Sequence, residues 1–436
     1  MWAATIWAFV LLEWPLRLQQ TVFTVVENAT SELPSTHRHV AEKDSLLQRL
    51  SRTQGHWNEH HPRYRLLEAL RGFSSYAETN LAELDHLKGL YRHVSKRQKA
   101  LLERTVSYSS KFTSISDLIA KNQDICDAIV QNALDFYHVD RAELDRHKKE
   151  MIAARRPAEK VSVSQALKHL VRDWGDEGAS ERDAAFPCII KALGSILVRA
   201  QSHGSHHDDF HQPLQVLLPG AGLGRLGHHI SQSLGHAFQV TNNEWSMYQN
   251  VVYRFLENTS PTSQQQQQPP STVYPFIDSW SHHSTTSNML RGVSFPNTPL
   301  HVGGVVLVEG DFTTAFSSEQ QMGYYDVVVT HFFIDTARNL MSYLDTIFRV
   351  LKPGGHWVNF GPLLYGSAPF VQLSLEEVLA VSEAMGFRFD HVPDGCCGVE
   401  TLPGRKACGV EAAYGFDARA LTKNAYDAQL WVARRD

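Results

Sequence analysis

The sequence has 436 residues, enough for about two or three folding units, and 43% of them are hydrophobic while 20% are charged. These proportions are ordinary for a globular protein and exclude a coiled coil, a collagen and a wholly disordered chain. The 41 Lys and Arg residues nearly balance the 46 Asp and Glu residues, and the net charge of −5 is too small to gather nucleic acid or an anionic membrane.

The N-terminus begins with an apolar run over residues 2–12 that resembles a signal or an anchor. Glu13 and Arg17 interrupt the run at about half of the roughly 20 residues that a membrane span needs, and no cleavage pattern follows it. We therefore expect residues 1–56 to be a frayed or disordered extension, or not to belong to the folded protein.

The next part of the chain has a helical pattern. From about His61 to Tyr137, apolar residues recur at spacings of three and four, and Gly and Pro are rare. Amphipathic helices of this kind need a partner surface, so residues 57–160 are expected to form a helical region that covers or supports the rest. The charged stretch 141–160 predicts a solvated connection.

From residue 214 onward, short apolar runs alternate with helical stretches, which is typical of a parallel sheet with helices on both faces. The predicted strands cover residues 214–218, 238–240, 305–308, 325–330 and 356–360, with 387–392 and 429–433 as edge strands. A helix over 340–351 should stop at 352–355. The glutamine tract 264–268, with its prolines and hydroxyl residues, predicts a disordered insertion over 262–300 in an α/β domain spanning 161–436.

The cysteines are few and odd in number, and their spacing matches no metal site. They are Cys126, Cys188, Cys396, Cys397 and Cys408. We therefore expect a reducing compartment, no framework of disulfide bonds and no metal ion.

A glycine-rich turn follows the first predicted strand, with Gly220, Gly222 and Gly224 at alternate positions. Such a turn lets backbone N–H groups at a helix N-terminus approach a ligand closely. The dinucleotide fingerprint G-x-G-x-x-G would need glycine at Arg225, so the spacing suits a nucleoside without pyrophosphate. Glu244 lies 20 residues beyond Gly224 at the end of the second strand, where its oxygens can accept both hydroxyls of a ribose.

Two further strand ends carry polar residues. Asp311 and Phe312 follow the third strand and offer an acceptor and an aromatic ring to an adenine, and His331 ends the fourth strand. All these strand ends share the carboxyl edge of the sheet, where open α/β sheets bind ligands. S-adenosylmethionine (SAM) fits this edge better than a nicotinamide dinucleotide, which is the alternative on these residues alone.

Several short motifs together resemble one family, the carnosine N-methyltransferases. The motifs are VRDW at 171–174, ERDA at 181–184, LPGAGLGRL at 218–226, NEWS at 243–246, GDF at 310–312, FFIDTA at 332–337, LKPGG at 351–355 and GPLLY at 361–365. Members of that family methylate a ring nitrogen of the histidine in β-alanyl-histidine. The resemblance covers about residues 57–435 apart from the Gln-rich segment, and it implies a Rossmann-like class I methyltransferase sheet and SAM as cofactor.

The resemblance also implies which residues hold the cofactor. Arg172 is similar to the family arginine that meets the methionine carboxylate, a contact that suits a guanidinium fork. His169 stands where the family usually has Gln, and His331 stands where a relative has Cys and is expected to contact the cofactor through its backbone. The remaining cofactor residues are Gly220, Gly222, Glu244, Asp311 and Phe312.

Asp335 resembles the family aspartate that holds the substrate imidazole. A carboxylate that accepts the one N–H of a neutral imidazole leaves the other nitrogen with a free lone pair for attack on a methyl group. The same carboxylate stabilises the positive charge that develops on the ring. Asp335 is therefore the expected catalytic residue.

The resemblance implies further substrate contacts near the C-terminus. Tyr414 and Tyr426, twelve residues apart, match the spacing of two tyrosines that line the family's substrate site. Gly366 stands where the family has a histidine that contacts the imidazole, so one polar contact to the substrate is lost. For that reason the residues predict imidazole methylation more strongly than they predict carnosine as the substrate.

The expected function is SAM-dependent methylation of the imidazole ring of a histidine-containing dipeptide, of the carnosine-to-anserine type. One alternative is a histidine in another peptide or protein, and another is a catalytically silent SAM-binding scaffold. The expected partner is a small histidyl peptide rather than nucleic acid or membrane, and a homodimer is left open. The expected location is the cytosol, with the nucleus as a second compartment.

Overall fold

The structure is a computed structural model that describes residues 36–203, 212–259, 270–404 and 406–436. The apolar run 2–12 and the glutamine tract 264–268 lie outside the described residues. The first half of the described chain is helical. Its helices are α1 (Thr36–Arg49), α2 (Pro62–Ser74), α3 (Tyr76–Tyr91), α4 (Lys96–Val106), α5 (Ser110–Phe136), α6 (Arg141–Ala153), α7 (Val161–His169) and, after a π-helical turn (Leu170–Trp174) and a 3₁₀ turn (Asp176–Gly178), α8 (Ala179–His203).

Strands and helices then alternate as predicted. They are β1 (Leu214–Pro219), α9 (Arg225–Leu234), β2 (Phe238–Glu244), α10 (Met247–Thr259), β3 (Ser271–Val273), α11 (Thr286–Leu290), β4 (Val293–Phe295), β5 (Val305–Glu309), α12 (Phe312–Ala315), β6 (Tyr325–His331), α13 (Leu340–Val350), β7 (Leu351–Gly361), α14 (Leu375–Ala384), β8 (Phe387–Asp390), β9 (Val399–Leu402), β10 (Ala407–Ala413) and β11 (Ala425–Arg435).

The main sheet has the strand order β5-β2-β1-β6-β7-β11-β10-β9, with β8 also paired to β11. The strands from β5 to β7 are parallel, and Val216 of β1 lies between Val240 of β2 and Val327 of β6. Strands β2 and β5 are added on one side of β1 and strands β6 and β7 on the other, so the strand order reverses next to β1 and the carboxyl ends there form a crevice. The Rossmann-like fold is confirmed.

One detail of the predicted sheet is wrong. Residues 429–433 were expected at an edge, but β11 lies inside the sheet, antiparallel to β7 on one side and to β10 and β8 on the other. The helix stop is confirmed, because α13 ends at Val350, and residues 352–355 belong to the start of β7, where Gly354 has a left-handed φ of 80°. The expected solvated connection over 141–160 also differs, because α6 forms there and buries Leu144, His147 and Met151.

The expectation that residues 1–56 are a disordered extension is wrong for the described part. Helix α1 lies along the edge strand β5, where the His39 side chain donates to the carbonyl oxygen of Val305 at 2.9 Å. Leu46 and Leu50 are buried at this contact. The connection after β5 contains the one-turn helix α12 and a 3₁₀ turn (Glu319–Gln321) but no longer helix, so α1 covers sheet surface that a crossover helix would otherwise cover.

The disordered insertion expected over 262–300 is wrong from residue 270 onward. Strands β3 and β4 form an antiparallel hairpin, and Phe276 and Phe295 are buried. Asn122 of α5 fixes this segment, because its side chain donates to the carbonyl oxygen of Tyr274 at 2.9 Å and accepts the Tyr274 N–H at 2.8 Å. The prediction applied the polar composition of the glutamine tract to the residues after it, but from residue 270 onward apolar residues are interspersed among the polar ones.

The expectation of no disulfide framework is also wrong. The fold brings Cys188 of α8 to Cys396 and Cys397 to Cys408 of β10, and both pairs are bonded. The two cysteines of the first pair are 208 residues apart, so no local spacing in the sequence predicts their bond. Cys126 is a free, buried cysteine.

The helical region and the α/β region share one hydrophobic core. A single buried cluster contains Leu66 of α2, Ile129 of α5, Val251 of α10 and Leu307 of β5. The two regions predicted as 57–160 and 161–436 therefore pack against each other through apolar side chains. Within the described ranges, no helix is both long enough and apolar enough to cross a membrane.

Candidate active site

A cavity of about 260 Å³ opens at the carboxyl edge of the sheet, between the glycine turn, the π-helical turn and the end of β10. We name it the cofactor pocket. The predicted residues that line it are His169, Arg172, Gly220, Gly222, Glu244, His331 and Tyr414. The fold thus brings together residues that lie up to 245 positions apart in the sequence, from His169 to Tyr414.

The glycine turn has the shape that a close ligand needs. Gly220 and Gly222 have φ values of 65° and 57°, which residues other than glycine rarely adopt. A Cβ on Gly220 would collide with the ring of Phe333, whereas a Cβ on Gly222 would find its nearest neighbour, Asp173 Oδ2, at 3.5 Å. Gly222 therefore leaves open space at the pocket wall.

Glu244 is held at the floor of the same turn. Its Oε2 accepts the Gly222 N–H at 2.9 Å, and its Oε1 accepts the Ser246 N–H at 2.8 Å. Burial raises the pKa of Glu244, although these backbone donors favour the charged form. Each carboxylate oxygen keeps a further acceptor site, so the pair can receive the two hydroxyls of a ribose.

The π-helical turn places Arg172 and Asp173 in the opposite wall. Asp173 Oδ2 accepts the Leu223 N–H at 3.2 Å, and its Oδ1 lies 3.4 Å from Arg172 Nε. The Arg172 guanidinium also lies 5.0 Å from the ring centre of Tyr414 and 4.9 Å from that of Phe416. Burial opposes the charge on Arg172, but Asp173 and Tyr414 outweigh burial and raise its pKa.

The two histidines of the pocket are uncharged at neutral pH. Burial, with Arg172 close by, lowers the pKa of His331 to about 3, and it lowers the pKa of His169 well below its usual value. His331 Nε2 is buried and has no hydrogen-bond partner among the described residues. His169 Nδ1 bonds the Gln165 carbonyl oxygen at 2.7 Å. Neither ring adds positive charge to the pocket.

Asp311 and Phe312 do not line the cofactor pocket. Asp311 lies in an adjoining cavity of about 720 Å³ beneath α1 and α2, and its Oδ1 accepts the N–H groups of Thr313 and Thr314 at the start of α12. Phe312 is buried beneath, against Phe333. The two cavities meet at the end of β2, because Glu244 lines one and the next residue lines the other.

The helical region contributes a residue to this junction that the sequence analysis missed. The Arg65 guanidinium of α2 lies 3.8 Å from the ring centre of Trp245 and donates to the Trp245 carbonyl oxygen at 2.5 Å. Trp245 follows Glu244 directly and remains 56% exposed. No local pattern pairs residues 65 and 245, which belong to different elements, so only the fold reveals the contact.

Asp335 lies in a 3₁₀ turn (Ile334–Thr336) just beyond the end of β6. The carboxylate is buried, and its Oδ2 accepts the Leu364 N–H at 2.9 Å. Burial raises the pKa of Asp335 to about 6. The group is therefore ionised at neutral pH but is more basic than an ordinary carboxylate.

The aromatic residues Phe332 and Tyr414 line part of the cofactor pocket, and Phe332 lies three residues before Asp335. The Tyr414 ring stacks on Phe332 with centres 4.8 Å apart, and Tyr426 lies 5.7 Å from Tyr414 and 6.1 Å from Phe332. We name these three rings the aromatic cluster. Gly366 lies beyond β7, and a Cβ there would meet nothing within 4 Å.

Comparison with known proteins decides the family. The carnosine N-methyltransferase family profile matches residues 148–436. The chain belongs to this family. The carnosine N-methyltransferase of Mus musculus is 29% identical over 377 residues, which cover 84% of this chain and 85% of the mouse protein. That of Schizosaccharomyces pombe is also 29% identical, over 75% of this chain and 83% of the yeast protein.

Similarity to solved structures is much weaker. The CurJ carbon methyltransferase covers 96% of this chain at 11% identity, with a TM-score of 0.34. A putative SAM-dependent methyltransferase from Methanococcus maripaludis covers 64% of this chain at 12% identity, with a TM-score of 0.31.

This member of the carnosine N-methyltransferase family is a SAM-dependent N-methyltransferase, and its pocket fits that cofactor. Gly222 offers a wall without a side chain, Glu244 offers two acceptors for a ribose, and Arg172 offers a cation for a carboxylate. SAM supplies an electrophilic methyl group when it is bound. Asp173 is a pocket residue that the sequence analysis did not assign, although it adjoins Arg172 in the family motif, and Phe416 packs against Arg172 without lining the pocket.

Proposed function

We propose that the protein methylates the imidazole ring of a histidine-containing dipeptide of the carnosine type, forming a product of the anserine type. The observation that carries the proposal is the buried carboxylate of Asp335, which lies just beyond β6 and three residues after Phe332 of the aromatic cluster. Membership of the carnosine N-methyltransferase family supports the same substrate class.

In this mechanism Asp335 accepts the N–H of the neutral imidazole and leaves the second ring nitrogen free to attack. With SAM bound in the cofactor pocket, this nitrogen would form a bond to the methyl carbon while the sulfonium sulfur kept the electron pair of the broken bond and left as a neutral thioether, and the ring would become an N-methylimidazolium cation. Its remaining N–H proton passes to Asp335, which is a better acceptor than an ordinary carboxylate because its pKa is about 6. The charge on Asp335 also stabilises the cation as it forms.

The aromatic cluster supports this reaction in two ways. Flat rings at Phe332 and Tyr414 give the imidazole a surface to stack on, which restricts its orientation. The electron-rich faces of such rings also attract a developing cation, by about 0.5–2 kcal/mol. Correct placement of two bound reactants can contribute about 7–11 kcal/mol of the barrier reduction, so orientation outweighs proton transfer here.

A second substrate class is a histidine within a longer peptide or a protein. The observation that favours it is the space around Gly366, two residues after Leu364, whose N–H Asp335 accepts, because a Cβ on Gly366 would meet nothing within 4 Å. Leu364 and Phe370 of the same loop are 63% and 68% exposed. An exposed apolar rim of this kind can receive residues that flank the methylated histidine.

The direct test is incubation with labelled SAM and carnosine, homocarnosine or Gly-Gly-His, followed by mass spectrometry of the products. We expect one methyl group on the imidazole ring. Asp335→Ala should abolish turnover while SAM affinity remains. Absence of methyl transfer to every histidyl peptide, with intact SAM binding, would exclude this activity and leave a SAM-binding scaffold.

Gly366→His distinguishes the two substrate classes. Space is available for the side chain, and an added imidazole can hydrogen-bond the substrate ring. One such bond contributes about 1–1.5 kcal/mol, so the KM for carnosine should fall about tenfold. Gly366→Ala is the matched control and should leave the KM unchanged. A variant that gains nothing on carnosine but loses activity on a longer peptide would favour the second class.

A further inference from the structure

The segment that follows the glutamine tract touches both walls of the candidate active site. Asn297 donates its backbone N–H to the Trp174 carbonyl oxygen at 2.8 Å, which fixes β4 to the π-helical turn. On the other side, Leu421 donates its N–H to the His282 carbonyl oxygen at 2.8 Å. Leu421 belongs to the loop 414–424 that joins β10 and β11, which we name the tyrosine loop.

Arg291 joins these walls through buried charges. Its Nε and Nη2 donate to Glu177 Oε2 at 2.9 and 2.7 Å, and Nη2 also donates to Asp417 Oδ1 at 2.6 Å. The guanidinium lies 3.6 Å from the ring centre of Phe276, and the Arg291 side chain is only 9% exposed. A forked, shielded guanidinium between two carboxylates holds them much more firmly than a surface ion pair does.

Each carboxylate belongs to a different wall. Glu177 lies in the 3₁₀ turn that directly follows the π-helical turn with Arg172. Asp417 lies three residues after Tyr414 in the tyrosine loop. The start of that loop has a second anchor, because Glu181 Oε1 accepts the N–H groups of Gly415 and Phe416 at 3.0 and 2.8 Å.

We propose that Arg291 is a positioning residue for the methyl-accepting substrate. By holding Asp417 against Glu177, it keeps the tyrosine loop in place, with Tyr414 stacked on Phe332 and Phe416 over Arg172. The substrate part of this inference rests on the proposed function, because Tyr414 matters to the acceptor only if the acceptor lies against the aromatic cluster. The ordering of the loop does not depend on which peptide is methylated.

We name the ion pairs of Arg291 with Glu177 and Asp417 the Arg291 clamp. One substitution can break it at the Asp417 end alone. Asp417→Asn removes the charge at the loop and leaves the pairing of Arg291 with Glu177 intact, so it should disturb the tyrosine loop and spare the pocket wall that carries Arg172. Arg291→Met releases Asp417 and leaves Glu177 paired with Arg419 of the tyrosine loop, whose Nη2 lies 3.1 Å from Glu177 Oε1. Arg291→Lys keeps one charge but lacks the fork, so it should restore part of the effect. Arg199→Met is the matched control, because Arg199 pairs with Asp390 at 2.6 Å outside the clamp.

The test measures hydrogen exchange at the Gly415, Phe416 and Leu421 amides together with steady-state kinetics in the full chain. In Arg291→Met and Asp417→Asn we expect exchange at these amides to become at least about tenfold faster. The KM for the peptide should rise about tenfold, while the Kd for SAM stays within about twofold in Asp417→Asn. Arg199→Met should change none of these quantities.

The outcomes separate this inference from the proposed function. If the wild-type enzyme methylates no histidyl peptide but the loop amides lose protection, the proposed substrate fails and the clamp stands. Unchanged amide protection in both variants would overturn the clamp itself. A faster-exchanging loop with an unchanged peptide KM would overturn the positioning role, as would an equal loss of SAM affinity and peptide affinity in Asp417→Asn. Asp417→Asn keeps the test decisive if Arg291→Met does not fold.

Discussion

Asp335 titrates in the same pH range as the substrate that it is proposed to hold. Its pKa is about 6 because of burial, and a free imidazole has a pKa of about 6.5. The productive encounter needs both groups deprotonated, so log(kcat/KM) should rise with a slope of about two below pH 5. Asp335→Asn removes the carboxyl group, so only the substrate imidazole still titrates in this pH range. We expect its slope to fall to about one and its kcat/KM at pH 8 to fall by about 10²–10⁴-fold.

Folding of the variant is the necessary control, and the sign of the pKa shift predicts its result. A carboxyl group whose pKa is raised on folding stabilises the protein below its unfolded pKa, and this stability is lost as the pH rises through about 6. Asp335→Asn should therefore be more stable than the wild type at pH 8, by about 1–3 kcal/mol, and equal to it near pH 4. A slope that remains at two in a folded Asp335→Asn protein would exclude the proposed role.

At the scale of single elements, the two glycines Gly220 and Gly222 of the glycine turn are needed for different reasons, one for protein packing and the other for ligand binding. Gly220 and Gly222 share a left-handed φ, but only a Cβ on Gly220 meets a buried ring. Gly220→Ala should lower the free energy of unfolding by about 2–4 kcal/mol, from strain plus overpacking against Phe333. Gly222→Ala should lower it by about 1 kcal/mol and weaken SAM binding instead. Urea unfolding without SAM and calorimetric SAM titration measure the two effects, and equal stability losses would contradict this assignment.

Elements with a local pattern were predictable from the sequence. The apolar runs of β1, β2, β5 and β6 and the stripe of α13 are dictated by burial on a sheet, and each was placed to within a few residues. The site residues at strand ends followed from the same logic, because a parallel sheet places its carboxyl ends at one edge. Glu244 and His331 accordingly line one cavity, whereas His169 and Arg172, which line it too, precede the sheet and were assigned only through the family resemblance.

Contacts between distant elements were not predictable, because nothing in a local window encodes them. Helix α1 packs on β5 and buries Leu46 and Leu50. Its sequence is so polar that it does not predict a packed helix. The pairing of Cys188 with Cys396 spans 208 residues. The Arg65–Trp245 contact and the Arg291 clamp join segments that are separated by long stretches of chain. Each depends on the assembled fold rather than on a pattern.

At the scale of the whole molecule, a buried network of charges joins the helical region to the sheet. Arg254 of α10 donates through Nε to Glu309 Oε1 at 2.9 Å and through Nη1 to Glu257 Oε2 at 2.7 Å. Tyr137, just beyond α5, donates its hydroxyl to the Glu309 carboxylate at 3.0 Å. The Glu309 side chain is fully buried at the end of β5, two residues before Asp311.

Removal of Arg254 should therefore destabilise the whole molecule. Arg254→Met leaves the buried carboxylates of Glu309 and Glu257 without their cation, at a cost of about 3–5 kcal/mol. Tyr137→Phe removes one hydrogen bond and should cost about 1–2 kcal/mol. Urea unfolding of both variants measures these losses. Arg388→Met, which breaks an exposed pair with Asp436, is the control and should cost about 0–1 kcal/mol.

The pH dependence of the Arg254→Met variant identifies the cause. Burial already raises the pKa of Glu309, and Arg254 is the main group that opposes this rise. Without Arg254 the pKa of Glu309 rises further, so Glu309 can become neutral by binding a proton at low pH. The variant should accordingly lose more stability at pH 8 than at pH 5, because the uncompensated charge exists only at the higher pH. A loss that is the same at both pH values would point to altered packing around residue 254 rather than to an unpaired carboxylate.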